Sequence, residues 1–354
     1  MRKRGNILPS SIPKNDPPKS FQKNRLSLPI TYRQTSIFVF VVLAFSSVQH
    51  WAGEKEVIIV DSKLLRKSGQ TWKTVDWKDN AMIKSSDTAF NFTCRWANFT
   101  SAQSKREAQM CVHPTTDIVS DNVVKDGHWA DCDALSAYWN KNVDDVTESV
   151  YVEIGANIGA CTMEMLLGTN ATIIAFEPHP MNQFALKQTI SKLDSSIQNR
   201  LTLVPVGLGL EHATSTIFSA NDNMGNSIIG TIIKDHDKQE FDKKLQFQVP
   251  VERLDSILNS GLSVKLMKMD AQGFECNILE GMGQAIASKI ETIKFEYAYD
   301  YLEAQNCTDM IDRLRNYGFD IYRTSEEAGE FGKPVTAPPE RGVFDLYANR
   351  QKAK

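Results

Sequence analysis

The sequence predicts an α/β protein whose main domain is a doubly wound, mostly parallel β-sheet with an antiparallel edge. Segments of strand character and segments of helix character alternate from residue 149 onward. The first strand segment, "YVEI", passes directly into the glycine-containing turn "GANIG" and then into a helical segment. Strand–helix–strand order places parallel strands in one sheet and helices on both of its faces.

The first half of this domain supplies three predicted strands and two predicted helices. Strands are predicted at "SVYVEI", "ATIIAFEP" and "RLTLVPVGLG", which are rich in β-branched and apolar residues. The helices between them are predicted at "GACTMEMLLG" and "PMNQFALKQTISKLD". Pro180 stands at the start of the second helix, a position that proline favours.

The second half continues the alternation and supplies the edge of the sheet. The segments "ATSTIFSA" and "LQFQVPVERL" alternate in polarity and predict a strand pair around a long loop. Two buried strands follow, "VKLMKMD" and "KIETIKFEYAYD", with helices at "GFECNILEGMGQAI" and "CTDMIDRLRNYG". The last segments, "FDIYRT" and "VFDLYANR", predict an antiparallel pair.

Three segments precede the main domain, which we place at residues 149–350. Residues 1–35 are basic and proline-rich and predict a disordered cytosolic tail. Residues 36–53, "SIFVFVVLAFSSVQHWAG", carry no charge and predict a transmembrane signal anchor near the minimum spanning length. Residues 54–148 are tryptophan-rich and weakly patterned, which predicts an irregular stem or cap.

The charges that flank the apolar segment predict its orientation. Cations precede it and "EKE" follows it, so the positive-inside rule puts the main domain in the lumen. We therefore expect a single-pass type II protein of the Golgi or another secretory-pathway membrane. A cleaved signal peptide and an organelle transit peptide stay open as alternatives. Four Asn-x-Thr sequons also favour a lumenal glycoprotein: Asn91, Asn98, Asn170 and Asn306.

The six cysteines divide into two groups of three. Any two of the first group can form a disulfide in an oxidising compartment, and their spacing does not select a pair: Cys94, Cys111 and Cys132. The second group falls in predicted helices and is expected to be buried and unpaired: Cys161, Cys276 and Cys307. No spacing resembles a zinc site, and a net charge of −3 gives no indication of a nucleic-acid partner.

Polar residues follow the strand ends, where a doubly wound sheet binds its ligands. The first strand ends at Glu153, and the next loop contains Gly155, Asn157 and Gly159. Glycine lets the backbone approach a ligand closely, and the following helix offers unpaired N–H groups. The second strand ends at Glu177, 24 residues after Glu153, where an acid is placed to accept hydrogen bonds from ribose hydroxyls.

The glycine loop departs from the dinucleotide pattern G-x-G-x-x-G. Asn157 stands near the middle glycine of that pattern, where a side chain crowds a diphosphate. A cofactor with a ribose and no phosphate fits better, and S-adenosylmethionine is such a molecule. A purely structural turn is the alternative interpretation.

Three motifs together resemble the FkbM family of S-adenosylmethionine-dependent methyltransferases. They are "VEIGANIGACT", "IIAFEPHPMNQFALKQTI" and "LMKMDAQGFECNILEGM", and the resemblance runs from about Tyr151 to Tyr299. It implies the class I methyltransferase (Rossmann-like) fold and O-methyl transfer to a hydroxyl. It also implies a set of cofactor-binding residues: Glu153, Gly155, Asn157, Gly159 and Glu177.

The resemblance also places the family's Lys-x-Asp-x-Glu-Gly signature on Lys268, Asp270, Gln272 and Gly273. The family commonly has glutamate where this chain has Gln272, so we assign no proton transfer to Gln272. Strand alternation puts Lys268 and Asp270 on one face. We predict that Asp270 is the catalytic base or orients the acceptor, and that Lys268 fixes it. A structural ion pair is the alternative.

Three other features each have a functional and an ordinary interpretation. Glu296, in "KFEYAYD", is predicted to line the acceptor side, or else to pair with a cation or cap the loop. His179 is expected to be a surface histidine rather than a contact of the adenine edge. The loop "NDNMGNS", residues 221–227, is either a substrate lid or an ordinary hairpin loop.

These features predict methyl transfer to a hydroxyl of a small-molecule or glycan acceptor in the secretory lumen. Two other function classes stay open. A catalytically silent binding module that keeps the fold is favoured by Gln272. A Rossmann oxidoreductase is disfavoured by Asn157 in the glycine loop.

Overall fold

The structure, a computed structural model, describes residues 64–65, 74–75, 92–143, 149–220, 223–230, 241–325, 327 and 329–351. The predicted tail and signal anchor, residues 1–53, lie outside the described residues. Across the described ranges, no helix combines the length and the apolar character that crossing a membrane requires.

Four regular elements occupy part of the segment that the sequence predicts as an irregular stem or cap. They are β1 (Arg95–Thr100), β2 (Glu107–Val112), α1 (Ile118–Asp126) and α2 (Ala130–Asn142). The two strands pair antiparallel. Helix α1 buries only two side chains, so its sequence pattern is weak although the helix is well formed. We call residues 92–143 the cap.

From residue 150 onward, strands and helices alternate as the sequence predicts. The elements are β3 (Val150–Ile154), α3 (Ala160–Gly168), β4 (Thr172–Phe176), α4 (Pro180–Ser191), α5 (Ser195–Gln198), β5 (Leu201–Val204), β6 (Gly207–Leu208), β7 (Ala213–Ala220), β8 (Ile228–Ile229), β9 (Phe241–Glu252), α6 (Leu254–Ile257), β10 (Val264–Met269), α7 (Glu275–Ala287), β11 (Ile290–Ala298), α8 (Tyr299–Ala304), α9 (Met310–Asn316), β12 (Phe319–Thr324), β13 (Phe331–Pro334) and β14 (Val343–Arg350).

The main sheet has eight strands in the order β13-β12-β14-β11-β10-β3-β4-β5. Strands β11, β10, β3, β4 and β5 are parallel. Strand β14 runs antiparallel to both β11 and β12. The predicted doubly wound sheet with an antiparallel edge is therefore confirmed. Strand order reverses between β3 and β10, which is where such sheets bind ligands.

A second sheet has the order β6-β9-β7-β8. Its β7 and β9 pair antiparallel, as predicted. One predicted strand, "RLTLVPVGLG", is wrong as a single element. It divides at Pro205 into β5 of the main sheet and β6, which pairs parallel with β9. Proline has no N–H to donate to a sheet ladder, so the chain leaves the main sheet there.

Alternate residues of β3 enter two different apolar cores. Val152 packs with residues of α6, α7 and α9, whereas Tyr151 packs with residues of the cap, α3 and α4. The buried carboxylate of Glu164 in α3 fastens the cap to this second core. It accepts hydrogen bonds from Ser101 Oγ at 3.1 Å and from Ser136 Oγ at 2.6 Å.

All six cysteines form disulfides: Cys94–Cys111, Cys132–Cys161 and Cys276–Cys307. The expectation that the second group of cysteines is unpaired is therefore wrong. The first bridge lies within the cap, the second joins α2 to α3, and the third joins α7 to the segment after α8. The cap packs on α3 and so brings Cys132 and Cys161 together. The positions of these two cysteines in the sequence do not indicate this pairing.

Candidate functional site

A cleft opens at the carboxyl ends of β3, β4 and β10, at the point where strand order reverses. Its empty space is about 820 Å³, a figure that includes open solvent at the mouth. Six of the predicted site residues lie on its wall: Glu153, Gly155, Asn157, Glu177, Lys268 and Asp270.

The glycine loop has the backbone that only glycine tolerates at two positions. Gly155 has a φ of 77°, and a Cβ there would stand 2.0 Å from the Asp270 carbonyl oxygen. Gly159 has a φ of 91°, and a Cβ there would meet a Leu186 methyl group at 2.2 Å. Gly159 lies at the start of α3 and not on the cleft wall. Its role is therefore to let α3 pack closely on α4.

Glu177 is buried at the end of β4 and fixes the glycine loop. Its Oε2 accepts a hydrogen bond from the Asn157 N–H at 2.7 Å, and its Oε1 accepts one from the His179 N–H at 2.8 Å. Burial raises the pKa of Glu177 to about 7. Asn182 Nδ2 donates a third hydrogen bond, to Oε1 at 3.4 Å. A carboxylate offers about four acceptor positions, so Glu177 keeps about one for a ligand in the cleft.

Glu153 and Lys268 are register partners on adjacent strands. The Glu153 carboxylate accepts a hydrogen bond from Thr162 Oγ1 at 2.7 Å. Burial raises the pKa of Glu153 to about 7, although Lys268 opposes the shift. Burial by itself would lower the pKa of Lys268. The negative charges of Asp270 and Glu153 have the larger combined effect and raise the pKa of this lysine. Both groups thus face the same end of the cleft.

Asp270 is held from both sides. Its Oδ2 pairs with Lys268 Nζ at 3.0 Å, and its Oδ1 accepts a hydrogen bond from Gln272 Nε2 at 2.8 Å. Burial favours the protonated form, but Lys268 and the two hydrogen bonds outweigh it and lower the pKa of Asp270. The site therefore presents an oriented, ionised carboxylate at the mouth of the cleft.

Residues 153–321 match the model of one protein family, the methyltransferase FkbM domain. They include all the predicted site residues. These residues form an FkbM methyltransferase domain. Its cofactor is S-adenosylmethionine, as the glycine loop and the sequence motifs predict.

Comparison with solved structures finds other methyltransferases. Precorrin-6y C5,15-methyltransferase from Geobacter metallireducens is 13% identical, with 62% of this chain and 88% of that chain covered and a TM-score of 0.32. The glycopeptide N-methyltransferase MtfA complexed with S-adenosylmethionine is 10% identical, with coverage of 62% and 93% and a TM-score of 0.31. TM-scores this low carry no functional information. A comparison with curated proteins gives no match.

The cleft of the FkbM domain fits S-adenosylmethionine in its chemistry. Glu177 offers a buried acceptor position for a ribose hydroxyl, and Glu153 offers a carboxylate for the methionyl ammonium. Gly155 leaves the backbone open to the ligand. Apolar side chains complete the wall beside these groups: Val206, Leu208, Ile217 and Phe274. When bound, the cofactor supplies a methyl group on a positively charged sulfur.

Glu296 of the FkbM domain lies behind Gln272 rather than on the cleft wall. Its Oε2 stands 3.4 Å from Gln272 Nε2. Burial, then the charges of Asp270 and Glu275, raise the pKa of Glu296 well above its usual value. Gln272 thus bridges an ionised carboxylate and a carboxyl group that holds its proton.

Sequence reasoning missed a second lysine in this cluster. Lys294 in β11 is the register partner of Lys268. It is buried, and its Nζ bonds Asp345 Oδ2 at 2.6 Å and the Asp131 carbonyl at 3.1 Å. The sequence does carry a signal for Lys294, because "KMD" and "KFE" both place a lysine two residues before an acid.

The cap also contributes to the cleft, which the sequence does not reveal. Val119 and Trp129 line the wall beside the FkbM domain. Gly225, in the short turn Met224–Asn226, donates its N–H to Asp117 Oδ2 of the cap at 3.2 Å. Gly225 and Ser227 line the cleft, so the described part of the loop at 221–227 is a wall of the site.

His179 is neither a surface residue nor a cleft residue. It is fully buried, and its Nδ1 accepts a hydrogen bond from the Met181 N–H, which caps α4. Its Nε2 lies 2.6 Å from Ser219 Oγ. The expectation of a surface histidine is therefore wrong, because β7 of the second sheet covers this helix end.

Among the described residues, no group of three or more His, Cys, Asp or Glu side chains is arranged to hold a metal ion.

Proposed function

We propose that this methyltransferase transfers its methyl group to a hydroxyl of a glycan or small-molecule acceptor in the secretory lumen. The observation that carries the proposal is Asp270, an ionised carboxylate fixed by Lys268 and Gln272 at the mouth of the cofactor cleft. A hydroxyl must lose its proton as it gains a methyl group, and an oriented carboxylate can accept that proton.

Each residue of this cluster has a defined task in the proposed reaction. Asp270 accepts a hydrogen bond from the acceptor hydroxyl and then takes its proton. Lys268 and Gln272 hold both oxygens of Asp270, so its orientation does not depend on the acceptor. Glu296 supports the amide of Gln272 from behind. Orientation of this kind supplies most of the rate in a displacement that needs its reactants aligned.

The charges at the mouth favour a hydroxyl over an amine. Three carboxyl groups line the cleft, those of Glu153, Glu177 and Asp270, against one lysine, Lys268. Carboxylates stabilise the protonated form of a nearby amine, and a protonated amine has no lone pair for methyl transfer. A hydroxyl stays uncharged in the same surroundings.

Two observations support a lumenal location. Three disulfides are expected where the environment is oxidising and are rare in the cytosol. Three sequon asparagines are exposed, whereas Asn91 lies outside the described residues: Asn98, Asn170 and Asn306. Together with the predicted signal anchor at residues 36–53, they favour a type II membrane glycoprotein of the Golgi or a related compartment. Glycan hydroxyls are abundant acceptors there.

The test is a methyl-transfer assay with the full chain produced in the secretory pathway of cultured cells. Labelled S-adenosylmethionine is offered with neutral glycans, small alcohols and amines. We expect label on hydroxyl acceptors, and a kcat about 10²–10⁴-fold lower in Asp270→Asn. The matched control is Asp312→Asn, an exposed acid on α9 that pairs only locally with Arg315.

Three outcomes contradict the proposal in different ways. Label on amines alone overturns O-methyl transfer. Full activity in Asp270→Asn overturns the role of that carboxylate. Tight cofactor binding without transfer to any acceptor supports the catalytically silent binding module instead.

A further inference from the structure

Trp129 lines the cofactor cleft although it lies outside the FkbM domain. It stands at the N-terminal end of α2, in the cap, and its side chain is partly buried in the second apolar core. Its side chain makes no capping hydrogen bond to the helix. Because Trp129 lines the cleft, a ligand bound there can contact it.

The backbone that carries Trp129 is fastened to two sides of the cleft. Cys132 donates its N–H to the Trp129 carbonyl at 3.0 Å, and its sulfur is bonded to Cys161 in the first turn of α3. On the other side, the Asp131 carbonyl accepts a hydrogen bond from the buried Lys294 at 3.1 Å. These two links fix the backbone of the Trp129 segment relative to both the glycine loop and β11.

The Trp129 segment lies at the charged end of the cleft. Asp131 is close enough to Lys268 and Asp270 for their charges to affect it. Cys161, which lines the cleft, follows the glycine loop that begins after Glu153. The charged part of S-adenosylmethionine, with its ammonium and sulfonium groups, belongs at this end, because Glu153 is the carboxylate there.

We propose that the indole of Trp129 covers the sulfonium of S-adenosylmethionine in a cation–π contact. Tryptophan is the best aromatic partner for a cation, and the contact strengthens where water is excluded. S-adenosylhomocysteine, the product of methyl transfer, has a neutral sulfur and makes no cation–π contact there. Trp129 thus makes the protein select the methyl donor over its product. The inference depends on the cofactor and not on the identity of the acceptor.

The experiment measures dissociation constants of both ligands by calorimetry, with the full chain and no acceptor present. Trp129→Leu keeps an apolar side chain without a π face, Trp129→Phe keeps a π face, and Trp96→Leu changes an exposed tryptophan of β1. In Trp129→Leu we expect affinity for S-adenosylmethionine to fall roughly 2- to 30-fold more than affinity for S-adenosylhomocysteine. Trp129→Phe should keep most of the selectivity, and Trp96→Leu should keep all of it.

A second readout covers the case in which Trp129→Leu fails to fold. Tryptophan fluorescence of the unmodified chain should change on addition of S-adenosylmethionine, and Trp129→Phe should lose that change. Equal loss of affinity for both ligands, or an unaltered fluorescence response in Trp129→Phe, overturns the inference. If the unmodified chain does not bind S-adenosylmethionine, the cofactor assignment fails as well. A wrong acceptor class leaves these titrations unaffected.

Discussion

Two residues of the cleft have a left-handed backbone without being glycine, Asn157 with a φ of 53° and Gln272 with a φ of 51°. Such a backbone costs about 1–3 kcal/mol per residue, and surrounding contacts must hold it in place. Such contacts are present at both residues. Glu177 accepts a hydrogen bond from the Asn157 N–H, and the Gln272 side chain donates hydrogen bonds to Asp270 and Glu296. The strained backbone therefore aims the groups that shape the site.

Gly155 should be the most sensitive glycine of the loop. In Gly155→Ala the new Cβ would have to displace the Asp270 carbonyl, which is main chain, and the φ of 77° stays unfavourable. We expect a loss of about 2–5 kcal/mol in the free energy of unfolding, measured by chemical denaturation. Gly261→Ala is the control, because a Cβ there meets nothing closer than 3.5 Å and its φ is not positive. Equal stability of the two variants would contradict this prediction.

At the scale of single elements, the N-terminus of α4 should depend on pH through His179. Burial, and then the charge of His113, lower the pKa of His179 to about 3, against about 6.5 in an unfolded chain. The folded state thus binds fewer protons between these values. The stability that the neutral ring supplies is complete above pH 6.5 and is lost as the pH falls toward 3.

The variant His179→Asn isolates this effect, since asparagine also caps helices but does not titrate. The free energy of unfolding of the unmodified chain, relative to this variant, should fall by about 2–3 kcal/mol between pH 7 and pH 4.5. Denaturation curves at both pH values measure it. The comparison cancels the buried glutamates, whose raised pKa values act in the opposite direction. A difference that does not change with pH would show that His179 is not buried in its neutral form.

The disulfide between α2 and α3 should matter for the cofactor as well as for stability. Replacing Cys132 and Cys161 by serine should lower the free energy of unfolding by about 2–4 kcal/mol and should weaken S-adenosylmethionine binding, because Trp129 loses one of its fixed points. Replacing Cys94 and Cys111 is the matched control. That bridge lies within the cap and away from the cleft, so its loss should lower stability alone. Calorimetry measures the affinity of both variants for S-adenosylmethionine. Unchanged affinity in both variants would contradict this prediction.

Seven of the eight strands of the main sheet are predictable, because each is a segment of alternating or continuous apolar residues, whereas the short β13 (Phe331–Pro334) is not. The strand ends are predictable too, and the sequence locates Glu153, Glu177, Lys268 and Asp270 there. Contacts between elements distant in the chain were not predictable. Trp129 and the Cys132–Cys161 bridge depend on how the cap packs on α3, and no local pattern encodes that contact.

At the scale of the whole molecule, the cofactor site is shared between the FkbM domain and the cap. The family match covers residues 153–321, yet Val119 and Trp129 complete the cleft wall from outside it. The cap also buries Tyr151 of β3 in the second core. The methyltransferase unit of this chain therefore includes the cap as well as the matched region, and removing residues 92–143 would expose both the core and the cofactor.

We propose a lumenal location for the main domain, which the three disulfides and the exposed sequons support, and this location can be tested directly. In sealed microsomes from cells that express the full chain, the main domain should resist added protease and should contain no thiol that reacts before reduction. Endoglycosidase should lower its mass, and combined Asn98→Gln, Asn170→Gln and Asn306→Gln substitutions should remove most of that shift. A cytosolic location predicts the reverse, with protease cleavage, six reactive thiols and no glycan, because disulfides do not persist in a reducing compartment.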